Sequence, residues 1–284
     1  MNSPSQRHPQ QRRSFLSSNP IMRRLENVHE SDANNASTYG GITLKTIFFL
    51  LFSVVGMIAQ SIVSNSLSSG NTFDLNFKGF EVALYRNEVF VLLGVVVAGV
   101  VFQLVALFAR STVPVTGALY SITQGYFISF LIFKVLGTYH MEYLGALALG
   151  ITVLIVLVMS ILYSTGVIRV TKKFRMVMLT LLITTIAASL FSFIGYLIPF
   201  TRPLFEGIRQ NFALSVVSGV IFIVIAALFL ICDFDTIDHV VHDKLPKKYE
   251  WQAAFGLSFT VLWLYLKVLD LIITIAGRNN SNSK

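Results

Sequence analysis

Phe212-Ala-Leu-Ser-Val-Val-Ser-Gly-Val-Ile-Phe-Ile-Val-Ile-Ala-Ala-Leu-Phe-Leu-Ile-Cys232 is a run of 21 residues without one charged side chain. A helix of that length, rising 1.5 Å per residue, crosses roughly 30 Å of hydrocarbon. A backbone in lipid must satisfy its own hydrogen bonds, so helix is the default conformation for such a run.

Similar apolar runs recur on both sides of this one, separated by short polar breaks. Spans are expected near 42–64, 88–109, 115–136, 142–164, 175–199, 212–232 and 252–276. The alternating ten-residue segments of a transmembrane barrel are not seen. The expected fold is all-α, a polytopic membrane protein built as a seven-transmembrane-helix bundle. Composition agrees: 54% of the 284 residues are hydrophobic and 13% charged. That is about half the charged share of a soluble domain, too little to cover a water-exposed surface. The lipid bilayer is therefore the first partner.

Residues 1–41 are rich in Gln, Ser, Asn and Arg and read as a disordered basic tail. Within them, Pro20-Ile-Met-Arg-Arg-Leu25 has the pattern of a short interfacial helix. The membrane domain is expected over 42–276, followed by a short polar tail at 277–284. The first apolar run starts after about 40 polar residues and is too long for a signal-peptide core, so a cleaved leader is not expected. The third span is the least regular. Tyr120, Gln124, Tyr126 and Lys134 imply that it is tilted or shielded by its neighbours. Small residues in Gly145-Ala-Leu-Ala-Leu-Gly150 and Ala187-Ala-Ser189 suit close helix packing.

The net charge of +8 does not point to nucleic acid, because Lys and Arg sit in short stretches between apolar runs. Counted over the connections, thirteen basic residues fall on the side of the N-terminus and six on the other. The positive-inside bias then places the N-terminus in the cytoplasm and, with seven spans, the C-terminus outside. Six spans would return the C-terminus to the inside.

Lys267 and Asp270, in Trp263-Leu-Tyr-Leu-Lys-Val-Leu-Asp270, are the most informative polar residues. Charges within a span cost at least ~2.5 kcal/mol and face the bundle interior or a water-filled cavity. Spaced i,i+3, the two share a helix face and can pair. A structural ion pair, an ion or proton path and snorkelling to an interface all remain open. A second cluster, Cys232-Asp-Phe-Asp-Thr-Ile-Asp-His-Val-Val-His-Asp243, ends the sixth span. There Asp235 and His239, and Asp238 and His242, stand at i,i+4. That spacing suits a transition metal or simply a solvated helix end. Asp233 lies closest to the apolar run and could turn inward, toward Lys267.

Enzyme chemistry finds no foothold. The five histidines fall in the tail or near span ends, which disfavours a zinc-dependent lipid hydrolase. There is no nucleophile elbow and no glycine-rich phosphate loop. An aspartyl protease built from Asp233 and Asp270 is disfavoured, since Lys267 would hold Asp270 ionised. Single Cys232 excludes an intramolecular disulfide. No inverted repeat of the secondary-transporter kind is visible. No cofactor or metal is expected.

Asp233-Phe-Asp-Thr-Ile, Pro246-Lys-Lys-Tyr-Glu-Trp251, Ala253-Ala-Phe-Gly-Leu257 and Val261-Leu-Trp-Leu-Tyr-Leu266 resemble the bacterial YccA-like branch of the Bax inhibitor-1 family. Ser17-Ser-Asn-Pro20 and Tyr39-Gly-Gly41 are similar to the same branch. The resemblance is specific over about residues 231–271 and elsewhere follows hydropathy. It implies a seven-helix fold with the last helix at the centre, in the cell membrane of a bacterium. It also implies a pH-sensitive leak of Ca²⁺, or modulation of a membrane-bound AAA protease and protection from stress.

In relatives, an acid ending the sixth helix and an acid in the last one form a pH-sensing carboxyl pair. Asp233 matches the first. Lys267 stands where the second is expected, and Asp270 stands where this branch usually has a base. Gln124 occupies the place of an expected acid in the third span. The ion path or gate is thus expected at Asp233, Lys267 and Asp270, with Asp235, Gln124 and Arg110 as secondary candidates. Ca²⁺ or protons would be its ions. A non-transporting regulator of a membrane protease or stress complex is the competing expectation.

Overall fold

The computed structural model describes residues 36–67, 70–78 and 80–282. The expected interfacial helix at Pro20–Leu25 and the Ser17–Pro20 motif lie outside the described residues. The first helix, α1 (Tyr39–Ser66), is opened by Thr38, whose hydroxyl accepts from the Gly41 N–H at 3.0 Å. A hairpin follows, β1 (Thr72–Phe77) paired antiparallel with β2 (Phe80–Tyr85). Then come α2 (Arg86–Phe108), a 3₁₀ turn (Arg110–Thr112) and α3 (Val113–Ser129), which widens into a π-helical segment (Phe130–Leu136). The remaining helices are α4 (Tyr143–Ser164), α5 (Lys172–Leu197), the short α6 (Arg202–Gln210), α7 (Phe212–His242) and α8 (Glu250–Asn282).

Among the described residues, six helices are long and apolar enough to cross a bilayer: α1, α2, the continuous stretch Arg110–Tyr139, α4, α7 and α8. They coincide with six of the seven expected spans. The 26-residue α5 occupies the place of the fifth. Its start is set by Thr171, whose hydroxyl accepts from the Phe174 N–H at 3.1 Å, as Asn211 caps α7 through the Leu214 N–H at 3.2 Å.

The third span is the one most shielded by protein, with 61% of its apolar window buried against 11% for α2. Glycines explain how it gets inside. A Cβ at Gly125 would strike the Ser53 carbonyl of α1, and one at Gly56 would strike the Ile122 carbonyl of α3. Close backbone approach through small residues is the usual packing device where lipid offers no hydrophobic drive. The last helix packs against α1, α3, α4 and α7, so it does occupy the middle of the bundle.

The hairpin is not anticipated by the hydropathy pattern. Along β2, Phe80, Val82 and Leu84 are buried while Glu81 and Ala83 are exposed, the period-two alternation of a half-buried strand. Phe77 pairs with Phe80, so a two-residue connection closes the hairpin, and Lys78 takes φ 52° there. Positive φ is what the tight primed turns of hairpins require. The apolar face joins the core of Ile128, Leu131, Val135 and Leu136, capping one end of the bundle.

Candidate functional site

The buried charges fall into three groups, distributed over the two ends of the bundle. The first is carried by α7, whose lower half runs from apolar core into polar residues. Asp233 has no exposed surface, and Thr236 beside it is 1% exposed with its hydroxyl donating to the Cys232 carbonyl at 2.8 Å. Two residues beyond Asp233, Asp235 forms an ion pair with Arg175 of α5, itself 1% exposed. His239 Nε2 stands 3.9 Å from the same carboxylate, so the expected i,i+4 juxtaposition with Asp235 exists. Asp238 accepts a hydrogen bond from the Tyr39 hydroxyl of α1 instead of meeting His242. Among the described residues no three His, Cys, Asp or Glu converge in a metal-binding group.

The second group opens α8. Glu250, 2% exposed, accepts from the Thr38 N–H at 2.8 Å and forms an ion pair with Lys45. The fit is close enough that a Cβ on Gly41 would strike the carboxylate. Residues just before α1 are held to the α7–α8 connection. The Ser37 N–H donates to the Leu245 carbonyl at 2.6 Å, its hydroxyl to the Pro246 carbonyl at 3.1 Å, and Ala36 bridges Pro246. Arg110 lies in this region, 5.8 Å from the Tyr249 ring centroid.

The third group lies at the hairpin end. Glu88, 7% exposed, pairs with Lys134 at 2.7 Å. It also accepts from the Ser64 hydroxyl at 2.8 Å and from the Tyr85 N–H at 3.2 Å. Nearby, the buried Ser129 hydroxyl meets Gln60 Oε1 at 3.0 Å. The π-helical widening of α3 carries Lys134. At the hairpin tip, Lys78 pairs with Asp270 and donates to the Thr274 hydroxyl at 2.8 Å.

This arrangement corrects two expectations. Lys267 and Asp270 do not pair with each other: Asp270 binds Lys78, and the Lys267 ammonium lies over Phe222, 5.0 Å from the ring centroid. The physical reason is competition. Lys preceding its acid along a helix is the weaker orientation of such a pair, whereas Lys78 arrives with Thr274 as an additional oxygen partner. Asp233 does not turn to Lys267 either. Lys267 is level with Phe222, and Asp233 lies eleven residues further along α7, about 16 Å away along the helix axis. Asp233 sits instead about one turn beyond the contact of Phe229 with Trp263. Gln124 is elsewhere again, facing α2, where its Nε2 would lie 3.6 Å from a Cβ on Gly99.

Depth explains the separation. Glu250 and Asp270 are twenty residues apart on one helix, about 30 Å, which is the thickness of a bilayer's hydrocarbon core. Asp270 and its Lys78 partner are therefore rim groups. Asp233, about one turn beyond the Phe229–Trp263 contact, is set back from either rim, whereas Arg175 lies in the first turn of α5.

Glu250, Lys45, Glu88 and Arg175 were not singled out from sequence. Each stands at the edge of an apolar run, which was the available signal.

A family model described as Bax inhibitor 1 like matches residues 19–277. The chain belongs to the Bax inhibitor 1-like family. No match is found among curated proteins or among solved structures. For this Bax inhibitor 1-like protein, the two positions marked by the resemblance thus have different surroundings: Asp233 is sealed in the bundle, and the Lys267–Asp270 segment lies toward the hairpin end.

Proposed function

We propose that this chain is a slow cation leak channel, with Ca²⁺ as its principal ion, in the cell membrane of a bacterium. The motifs at 231–271 support placing it in the YccA-like branch. Counting α5 as a crossing gives seven, and the bias of basic residues puts the Glu250 end in the cytoplasm and the hairpin end outside. The observation that carries the leak reading is Asp233, wholly buried, with buried Arg175 paired to half-buried Asp235 beside it. Ionisable groups inside a helical membrane bundle are costly, and they mark ion or proton paths.

Chemically, Arg175 neutralises the acidic segment of α7 and ties α5 to it in the closed form. Removing the Asp235 charge releases Arg175. The tie loosens, and a carboxylate at Asp233 becomes available to a passing cation. Lys267 does not block that path, because its ammonium is drawn to the face of Phe222. Purified protein in liposomes should pass Ca²⁺ faster at one pH than at another between about 5 and 8, and Asp235→Asn should pass it faster than wild type throughout. Flux equal to that of empty liposomes across this range, for wild type and variant alike, refutes the reading.

A second reading is a non-transporting regulator of a membrane-bound AAA protease or stress complex. It is favoured by the pairing of Ala36 and Ser37 with Leu245 and Pro246, which roots the basic tail at one fixed face. Cross-linking in native membranes should then recover one defined partner, lost on deleting residues 1–35. Recovery of this chain alone would count against it.

A further inference from the structure

Lys78 is the tip residue of the hairpin, and its ammonium is received by three oxygens of α8. They are the Asp270 carboxylate, the Thr274 hydroxyl at 2.8 Å and the Asp270 main-chain carbonyl at 3.4 Å. Thr274 is oriented for this role: its own proton goes to the Asp270 carbonyl at 2.7 Å, leaving the hydroxyl oxygen to face Lys78. A carboxylate, a hydroxyl and a carbonyl turned toward one point are hard oxygen ligands of the kind that hold Ca²⁺ and similar cations.

The way the tip is held makes the insertion specific. A Cβ at Gly277 would strike the Lys78 carbonyl, so α8 is shaved at the point where the tip lands. Tyr139 fixes the hairpin from the other side. Its hydroxyl accepts from the Glu81 N–H at 2.9 Å and donates to the Glu81 carbonyl at 3.3 Å, with its ring edge-on to Phe80. Lys78 itself takes positive φ at the tip. Arg278, the next cation along α8, is held away over the ring of Phe212 at 4.1 Å.

We propose that Asp270 and Thr274 form a cation seat at the hairpin end of the bundle, occupied in this structure by the tethered ammonium of Lys78. A free cation, Ca²⁺ with most of its shell supplied by water, competes with Lys78 for the seat and lifts the hairpin tip as it binds. One carboxylate gives a weak site, in the roughly millimolar range of extracellular calcium modules. That this competition admits cations to the path past Asp233 rests on the leak reading above. Binding at the seat does not.

Lys78→Asn empties the seat while keeping a residue that tolerates positive φ; Lys78→Gly does the same with no side chain. Each is purified in detergent and titrated with CaCl₂ at constant ionic strength, reading the thermal midpoint and hydrogen exchange of residues 72–85. Both variants should show a saturable rise in midpoint at millimolar Ca²⁺, and wild type should respond only at concentrations at least about tenfold higher. Adding Asp270→Asn to either variant should abolish the response. Equal titration of wild type and variants, no titration of any, or a response that survives Asp270→Asn overturns the seat. The same proteins in liposomes separate the two claims. A titrating variant whose Ca²⁺ flux matches empty liposomes leaves the seat standing and removes the leak reading.

Discussion

Replacing Glu250 by Ala gives the sharpest test of how the chain is closed at the end opposite the hairpin. The carboxylate is 2% exposed and serves Thr38, through its N–H at 2.8 Å and more weakly its hydroxyl at 3.4 Å, and the Lys45 ammonium. A hydrogen bond to a charged acceptor contributes about 1.5–3 kcal/mol. Lys45 is 21% exposed and can extend to water, so its pairing is discounted to about 1 kcal/mol or less. Glu250→Ala should therefore destabilise by about 2–4 kcal/mol. Glu250→Gln, which keeps an oxygen for Thr38, should cost about 1–2 kcal/mol.

The loss should be local before it is global. The main-chain bonds of Ser37 to Leu245 and the cap of α1 depend on Thr38 being held, so amide exchange at 36–41 should accelerate first. Each 1.4 kcal/mol corresponds to a tenfold change, so Glu250→Ala should speed exchange at Thr38 by about thirty- to several hundredfold. The assay is hydrogen exchange by mass spectrometry in detergent, with α8 peptides as the internal reference. Lys45→Met should give less than tenfold. Unchanged protection of 36–41 in Glu250→Ala, or an equal loss throughout α8, would refute the anchoring role.

Gly125→Leu should separate α1 from α3, because even a Cβ would strike the Ser53 carbonyl. Overpacking there should cost at least about 1–3 kcal/mol, read as a lower thermal midpoint, whereas Gly94→Ala, in open space, should leave it unchanged. Lys134→Met leaves Glu88 7% exposed with only Ser64 and Tyr85 to serve it. It should destabilise more than the double variant Lys134→Met/Glu88→Gln, and additive effects in the double-variant cycle would exclude a buried pair. Lys267→Asp places an acid one turn from Asp270; a new pH dependence of Ca²⁺ flux, absent in Lys267→Asn, is expected in liposomes. An unchanged pH profile would show that the position no longer communicates with the path.

The membrane fold was legible because its signal is local. Twenty-odd apolar residues such as Phe212–Cys232 must be helical in lipid whatever surrounds them. The shielding of the third span was also readable, since Gln124 and Lys134 could not all face hydrocarbon. The hairpin was not, because six-residue strands between two long spans look like any polar connection until Phe80, Val82 and Leu84 are seen to alternate inward.

The ion pairs divide on the same principle. Spacing along one helix correctly set His239 beside Asp235, since both lie on α7 and nothing from elsewhere competes for that carboxylate except Arg175. The same spacing misled at Lys267 and Asp270. Helical periodicity says which side chains share a face, but not which partner arrives from another element. Lys78 lies 192 residues from Asp270, and Lys45 lies 205 from Glu250. No local pattern encodes such pairs. What the sequence does carry is the cost of leaving them unmade: a charge at the edge of an apolar run, once buried, demands a partner. Glu88, Arg175 and Glu250 each stood as such a demand. The acid at Asp233 differs from them in depth: it lies away from the rims, wholly inside the bundle, where a partner must come from the surrounding helices.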